Sequence, residues 1–314
     1  MDEMRVLFIG VGSIARRHIK NISEVLKERG KKSCIDVFRT KNHGKLPEDI
    51  SGLIQDIYYD FVQIPNDYHI VFITNPTEFH LDTLKKFHNK GQHFFIEKPL
   101  CTYEQLASTS VDYLRENSVY YVASPLRYTK VLQYVKQNVD INEVYSARAI
   151  SSSYLPDWRP GTDYRTTYSA RKELGGGVAI DLIHEWDYLT YLFGTPKKVH
   201  SIIKKVSDLE IDTEDIAIYI GEYGDKVVEL HLDYLGRSSI RKLELFMKDD
   251  TLICDLINSN VTYLQSGKMI EFGQERNEYQ KEEIRYFLDL VENQKYGLGK
   301  IYEAKDILKL TRGD

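Results

Sequence analysis

Up to Ala123 the chain switches between two hydrophobic rhythms. Short apolar, β-branched runs at Arg5–Gly10, Ser33–Phe38, His69–Thr74, His93–Ile96 and Val119–Ala123 predict strands. Between them the apolar residues recur at helical spacing: Ile19, Ile22, Val25 and Leu26 within Arg16–Arg29, and Leu81, Leu84 and Phe87 within Glu78–Asn89, with a third helix expected over Tyr103–Glu116. Gly30 and Gly91 stand where the first two helices should stop. Strands separated by helices of this length imply right-handed crossovers and a parallel sheet.

Beyond Ala123 the rhythm changes. A strand at Val144–Ser153 is followed by an irregular, aromatic stretch, Tyr154–Ala170, and then by Gly175-Gly176-Gly177, which opens a helix predicted over Val178–Phe193. Strand-like runs then crowd together at Lys198–Lys205, Asp215–Tyr223, Lys226–Tyr234, Arg241–Lys248, Thr251–Leu256 and Asn260–Leu264, with Glu222–Asp225 as a hairpin turn. Helices at Glu278–Glu292 and Tyr302–Leu310 close the chain. Strands without intervening helices imply an antiparallel sheet. The expected fold is therefore α/β: a doubly wound parallel (Rossmann) domain over residues 1–122 and a C-terminal α+β domain with an open, mainly antiparallel sheet over 123–314.

Composition narrows the class of function. The formal net charge of −5 leaves no electrostatic footprint for nucleic acid or for an anionic membrane surface. No apolar run approaches the length of a bilayer span, and Met1–Arg5 shows no signal-peptide pattern. The three cysteines, Cys34, Cys101 and Cys254, are far apart and form no CxxC pair, so neither a disulfide framework nor a cysteine metal site is expected. A reducing cytoplasm is the expected compartment.

The chemistry begins at Gly10-Val11-Gly12-Ser13-Ile14-Ala15, which fits G-x-G-x-x-G/A between a strand and a helix. Gly10 permits the tight turn, Gly12 lets the backbone approach a pyrophosphate, and the N–H groups around Ser13 and Ile14 at the helix start bind phosphate. An acid reading a ribose 2′-OH is expected at the end of the second strand; the chain has Arg39 there, while Asp36 comes too early. Arg39 accommodates a 2′-phosphate and favours NADP over NAD, or else it stacks on adenine or faces water. Thr74-Asn75-Pro76 and Glu97-Lys98-Pro99 end the third and fourth predicted strands, where ligands bind in open α/β sheets. His80 caps or packs near the cofactor. Arg17 and His18, after the glycine loop, either approach phosphates or are solvated helix residues, the second being the expectation.

These pieces, taken with Gly175-Gly176-Gly177-Val178-Ala179-Ile180-Asp181-Leu182-Ile183-His184, resemble the glucose–fructose oxidoreductase, inositol dehydrogenase and rhizopine-catabolism (Gfo/Idh/MocA) family of NAD(P)-dependent oxidoreductases. The stretch Tyr154–Ala170, with Trp158, Arg159 and Arg165, resembles a branch found with surface-sugar and nonulosonic acid biosynthesis. The resemblance implies hydride transfer between nicotinamide and a sugar carbon. Lys98 would hydrogen-bond the reacting oxygen, and Asp181 and His184 would form the acid/base pair. It also implies a homo-oligomer, dimer or tetramer, through the C-terminal sheet. Two departures matter. The His follows the Asp by three residues instead of the commoner four, which makes Glu185 a rival, and Ser124-Pro125-Leu126-Arg127 lacks the Asn that many relatives carry before Arg127.

The residue chemistry agrees. Hydride transfer needs a group titrating near neutral pH beside the alcohol or carbonyl oxygen, a role suited to His184, and a cation such as Lys98 to stabilise the developing alkoxide. Arg127, Trp158, Arg159, Arg165 and Glu185 are candidate substrate contacts, since aromatic faces stack on sugars and Arg binds carboxylate or phosphate; the loop ones serve equally well as structural loop residues. The expected activity is an NAD(P)-dependent oxidoreductase acting on a sugar derivative, anionic or nucleotide-linked. The alternatives are a redox-neutral NAD-dependent glycoside hydrolase and a dinucleotide sensor without turnover.

Overall fold

The computed structural model describes residues 3–40, 45–107 and 110–313. The chain divides into two compact units, Met1–Ala123 with Gln280–Lys305, and Ser124–Tyr279 with Asp306–Asp314. The first cut falls one residue beyond the expected boundary at 122. The return of Gln280–Lys305 to the first unit departs from the expectation that residues 123–314 form one domain.

The first unit is built on β1 (Glu3–Ile9), β2 (Lys32–Phe38), β3 (Ile54–Tyr58), β4 (Tyr68–Ile73), β5 (Gly91–Ile96) and β6 (Tyr120–Val122). All pairs are parallel, in the order β3-β2-β1-β4-β5-β6. This is the doubly wound order, and its topological switch point lies between β1 and β4. Alternation along these strands puts Val6, Phe8, Ile70, Phe72, Phe95 and Tyr121 into one core cluster. Helix Ser13–Glu28 covers that face with Ala15, Ile19, Ile22, Val25 and Leu26, and the returning segment adds Ile284, Phe287 and Leu288. A row of rings runs across four strands: Phe8 stacks on Phe72 at 4.5 Å, Phe72 on Phe95 at 4.8 Å, and Phe95 meets Tyr121 at 5.3 Å. Phe287 caps this row edge-on, 5.4 Å from Phe95.

The second unit carries β7 (Val144–Ser152), β8 (Lys198–Lys204), β9 (Ile216–Glu222), β10 (Val227–Asp233), β11 (Ile240–Met247), β12 (Thr251–Asp255), β13 (Asn260–Tyr263) and β14 (Met269–Glu271). Their order is β14-β13-β12-β11-β7-β10-β9-β8, antiparallel throughout except for the β7–β10 pair. Ala149, Leu230, Leu243, Leu245 and Tyr219 are fully buried, and Trp186 of helix His184–Phe193 packs edge-on against Tyr219 at 5.4 Å. The alternate positions are open: Ile202 and Ile220 are exposed, and Arg148 pairs with Glu229 at 2.7 Å.

Several elements differ from expectation. The helix expected over 103–116 is only Tyr103–Leu106; beyond it, Ser110 bonds the backbone N–H and carboxylate of Asp112, a local arrangement that competes with helix. The helix expected over 178–193 is broken into Val178–Asp181 and His184–Phe193, because Ile183 N–H and Glu185 N–H bond carbonyls three residues back. Edge strand β3 and helix Lys130–Asn138, with Val131, Leu132 and Val135 buried, come as additions.

Candidate active site

In the first unit the site is built at the carboxyl ends of β1, β4 and β5. Gly10 has φ +92°, and a Cβ there would meet the Thr74 carbonyl and Asn75 backbone at 3.1–3.2 Å; only glycine fits this approach. Gly12 caps helix Ser13–Glu28, with no side chain bonded to the cap and no acid in the first turn. The helix start therefore presents its N–H groups and the positive end of its dipole. A Cβ on Gly12 would meet nothing within 4 Å, so the glycine leaves open space where a pyrophosphate needs close approach.

Thr74 donates its hydroxyl to the carbonyl of Ile9, tying the end of β4 to the glycine turn. Asn75 donates to Thr83 Oγ1 at 2.7 Å, and its side-chain oxygen is buried without a partner. Pro76 is exposed beside it. Arg39 N–H bonds the Tyr58 carbonyl at 2.9 Å, which fixes the Arg39 backbone at the end of β2, with its side chain half-buried. Asp36 is buried, accepts from Tyr68 Oη at 2.6 Å and from Asp56 N–H, and so is structural.

The turn Glu97–Lys98–Pro99 follows β5 with a cis bond before Pro99. His18 is not solvated, contrary to expectation: it is 1% exposed, and its Nε2 lies 2.5 Å from Glu97 Oε1. Burial pushes the Glu97 carboxyl up, but the His18 bond and the charges of His18, Lys98 and His80 outweigh it and hold the group below its ordinary value. His80 is buried between two carbonyls, Nδ1 to Pro99 and Nε2 to Asn75, both at 2.9 Å. Burial pushes its imidazole below the ordinary value, against the two carbonyl contacts, which favour a ring carrying both N–H groups. His80 thus joins the turns after β4 and β5. Lys98 is half-buried on the turn.

In the second unit Asp181 ends the short helix and His184 opens the next, which is half-buried at that position. Asp181 is 6% exposed and accepts from Tyr234 Oη at 2.6 Å. Burial, and after it the nearby charge of Asp181, raise the Tyr168 phenol. Glu214 accepts from Ala179 N–H, and burial raises its carboxyl above the ordinary value. Its side chain fills the place that a Cβ on Gly177 would need.

The remaining candidates divide. Glu185 has no exposed surface and pairs with Arg241 at 2.7 Å; burial raises its carboxyl despite the charge of Arg241. Arg127 is 4% exposed and grips Asp187 in a fork, Nε at 2.9 Å and Nη2 at 2.6 Å. Arg165 is exposed and neutralised by Asp163 and Glu210. Trp158 donates to Ser153 Oγ at 2.9 Å and meets the Tyr234 ring edge-on at 5.2 Å. Arg159 lies 5.5 Å over the ring of Tyr168. Trp158 therefore packs on Tyr234, which holds Asp181, and Arg159 lies on Tyr168, while Glu185, Arg127 and Arg165 are engaged elsewhere. Among the described residues no cluster of three His, Cys, Asp or Glu side chains is placed to hold a metal, and no helix is long and apolar enough to cross a membrane.

Two family descriptions match this chain: an oxidoreductase family with an NAD-binding Rossmann fold over residues 4–124, and a GFO/IDH/MocA C-terminal domain over residues 132–249. The chain belongs to the Gfo/Idh/MocA family. An uncharacterized oxidoreductase, YrbE of Bacillus subtilis (strain 168), is 26% identical over 190 residues, 60% of this chain and 53% of that protein. The match thus spans about half the length of that curated relative. Levoglucosan dehydrogenase in its apo form superposes with a TM-score of 0.83 at 14% identity, covering 100% of this chain and 96% of the other. The UDP-N-acetylglucosamine 3-dehydrogenase of Acidithiobacillus ferrooxidans gives 0.77 at 19% identity, covering 99% and 96%. These likenesses show that the fold is shared along its whole length.

Proposed function

We propose that this Gfo/Idh/MocA protein is an NAD(P)-dependent oxidoreductase acting on a hydroxyl or keto carbon of a sugar derivative. The observation that carries the reading is the placement, at the carboxyl ends of β1 and β5 on either side of β4 in one sheet, of the open Gly10–Gly12 turn at a helix start and the held Glu97–Lys98–Pro99 turn. Gly10, Gly12 and the N–H groups of Ser13 and Ile14 hold the pyrophosphate, with Thr74, Asn75, Pro76, His80 and Glu97 lining the path toward the nicotinamide. A bound nicotinamide supplies or accepts the hydride. Lys98 donates a hydrogen bond to the reacting oxygen and stabilises negative charge on it. His184 moves the proton, and Asp181, fixed by Tyr234, orients the imidazole or the substrate. Glu185, sealed and ion-paired, fits a structural role better than the acid/base one.

Arg39 at the end of β2 supports NADP over NAD. Trp158 and Arg159, beside Tyr234 and Tyr168, support a sugar carrying a carboxylate, phosphate or nucleotide, as in the surface-sugar branch. That two structural neighbours are named as dehydrogenases of levoglucosan and UDP-N-acetylglucosamine agrees with a sugar substrate. The open face of the eight-stranded sheet, with Ile202 and Ile220 exposed, supports assembly into a dimer or tetramer. Three buried thiols suit a reducing cytoplasm.

The test is a screen of uronic and nonulosonic sugars and their nucleotide conjugates by nicotinamide absorbance, with Lys98→Met beside the parent. The expected outcome is turnover in the parent, and in Lys98→Met a loss of about 10²- to 10⁴-fold with cofactor affinity kept. Full activity in Lys98→Met would refute the role of the amine. Tightly held NAD with product formed and no net absorbance change would replace the dehydrogenase with the redox-neutral hydrolase.

A further inference from the structure

The Glu97–Lys98–Pro99 turn is held at both ends by histidines from different elements. His80 holds the Pro99 carbonyl, and His18 holds the Glu97 carboxylate. The second contact is the less expected one, since His18 comes from the helix that follows the glycine turn. Its ring is locked against the row of aromatic side chains, 5.0 Å from Phe95 and 5.7 Å from Phe72. Its neighbours on the buried face of that helix, Ala15, Ile19 and Ile22, are apolar.

The protonation pattern can be read from the partners. A carboxylate only accepts, so His18 Nε2–H donates to Glu97. His18 Nδ1 is buried with no partner, so a second proton there would be stranded. Glu97 carries the negative charge that the Nε2–H meets. Glu97 Oε2 in turn accepts the backbone N–H of Lys98 at 3.2 Å, and the charge of Lys98 acts back on Glu97. An imidazole buried against the rings of Phe72 and Phe95, with one nitrogen orphaned, costs free energy that an aliphatic residue would not. What the histidine adds is the fixed donor.

We infer that His18 is a positioning residue for Lys98: it pins the Glu97 carboxylate, and the pinned carboxylate orders the Lys98 backbone and keeps a negative charge beside the Lys98 amine. The inference rests on the reading of Lys98 as the ligand of the reacting oxygen. It makes the helix that starts at the phosphate loop also the support of the reacting amine, so that the cofactor cradle and the Lys98 turn are parts of one hydrogen-bonded body.

Competitive labelling with trace acetic anhydride at mildly alkaline pH tests it on the whole chain. The readout is the labelling of Lys98 relative to Lys32, whose side chain is 67% exposed. In His18→Asn the amide reaches only the Nδ1 position, and the ratio should rise about threefold. In His18→Gln the amide nitrogen takes the Nε2 position, and the ratio should return to the parent value. In Glu97→Gln the shape is kept and the charge is lost, and the ratio should rise about tenfold, the usual effect of losing an opposite charge nearby. A purely packing role for His18 would lower thermal stability and leave the ratio alone. Unchanged ratios in His18→Asn and Glu97→Gln overturn the inference; if His18→Asn does not fold, Glu97→Gln decides alone. A parallel sample saturated with NADH separates the two claims. Shielding of Lys98 by NADH together with unmoved ratios sinks only the positioning role. Absence of shielding together with ratios that move sinks the cofactor reading and upholds the positioning role.

Discussion

At the level of single residues, the sequence was informative where chemistry and backbone demand the same residue, and silent where a side chain acts through a distant partner. Gly10 and Gly12 illustrate the first case, for different reasons: Gly10 by its positive φ and close approach to Asn75, Gly12 by the empty space around it. Gly12→Leu should therefore fold with the stability of the parent and lose nicotinamide-dinucleotide affinity by 100-fold or more, on the order of 3 kcal/mol, measured by NADH fluorescence titration. Equal affinity would remove the phosphate-cradle reading. Arg39→Asp should shift preference from NADP toward NAD by about tenfold or more in the ratio of dissociation constants; an unmoved ratio would mean that Arg39 does not read the ribose. The second case includes His18, Arg127 and Glu185. No local pattern announces that His18 meets Glu97, that Arg127 forks onto Asp187, or that Glu185 is buried against Arg241, because all three depend on residues far away in the chain, 79 positions for His18 and 60 for Arg127. A buried-face position for His18, at the spacing of Ala15, Ile19 and Ile22, was the one available signal.

At the level of elements, hydrophobic period located most strands and the long helices, since burial enforces it. It was blind to the tightened turn at Leu182–Ile183, where one irregular step separates the helix that ends at Asp181 from the one that begins at His184. The strand β5 carries a pH prediction of its own. His93 Nδ1 accepts the Val119 N–H at 3.2 Å, which requires a neutral ring, and burial first, then the charges of Arg115 and His69, push it from 6.5 to about 4. A histidine with a depressed value in the fold stabilises fully above its unfolded value and loses that contribution as protons bind the unfolded chain preferentially. The urea midpoint should therefore fall as pH drops from about 6.5 toward 4. His93→Asn, whose side-chain oxygen can still accept from Val119, should flatten that slope; a slope identical to the parent's would assign the acid sensitivity elsewhere.

At the level of the whole molecule, the alternation of strands and helices was enough to separate a parallel unit from an antiparallel one, but the discontinuity of the first unit was not legible. Helix Arg276–Glu292 reads as an ordinary amphipathic helix, and nothing local says which sheet its apolar residues cover. Ile284, Phe287 and Leu288 are fully buried in the core of the parallel unit, at about 2 kcal/mol each, an amount comparable to the whole stability of a typical domain. Residues 1–123 alone should therefore fail to show a cooperative unfolding transition or fixed near-ultraviolet circular dichroism. Addition of a peptide spanning 280–305 should restore both. A sharp transition in the short fragment alone would show that the strand order suffices without the returning segment.

The same discontinuity has a consequence during synthesis. The ribosome delivers the six parallel strands first and the segment that seals them only after the whole of residues 124–279. At roughly 5–20 residues per second, the interval between residues 123 and 305 is about ten to forty seconds. For that time the nascent chain carries an uncovered strip of Phe72, Phe95 and Tyr121, a target for chaperones that bind aromatic segments.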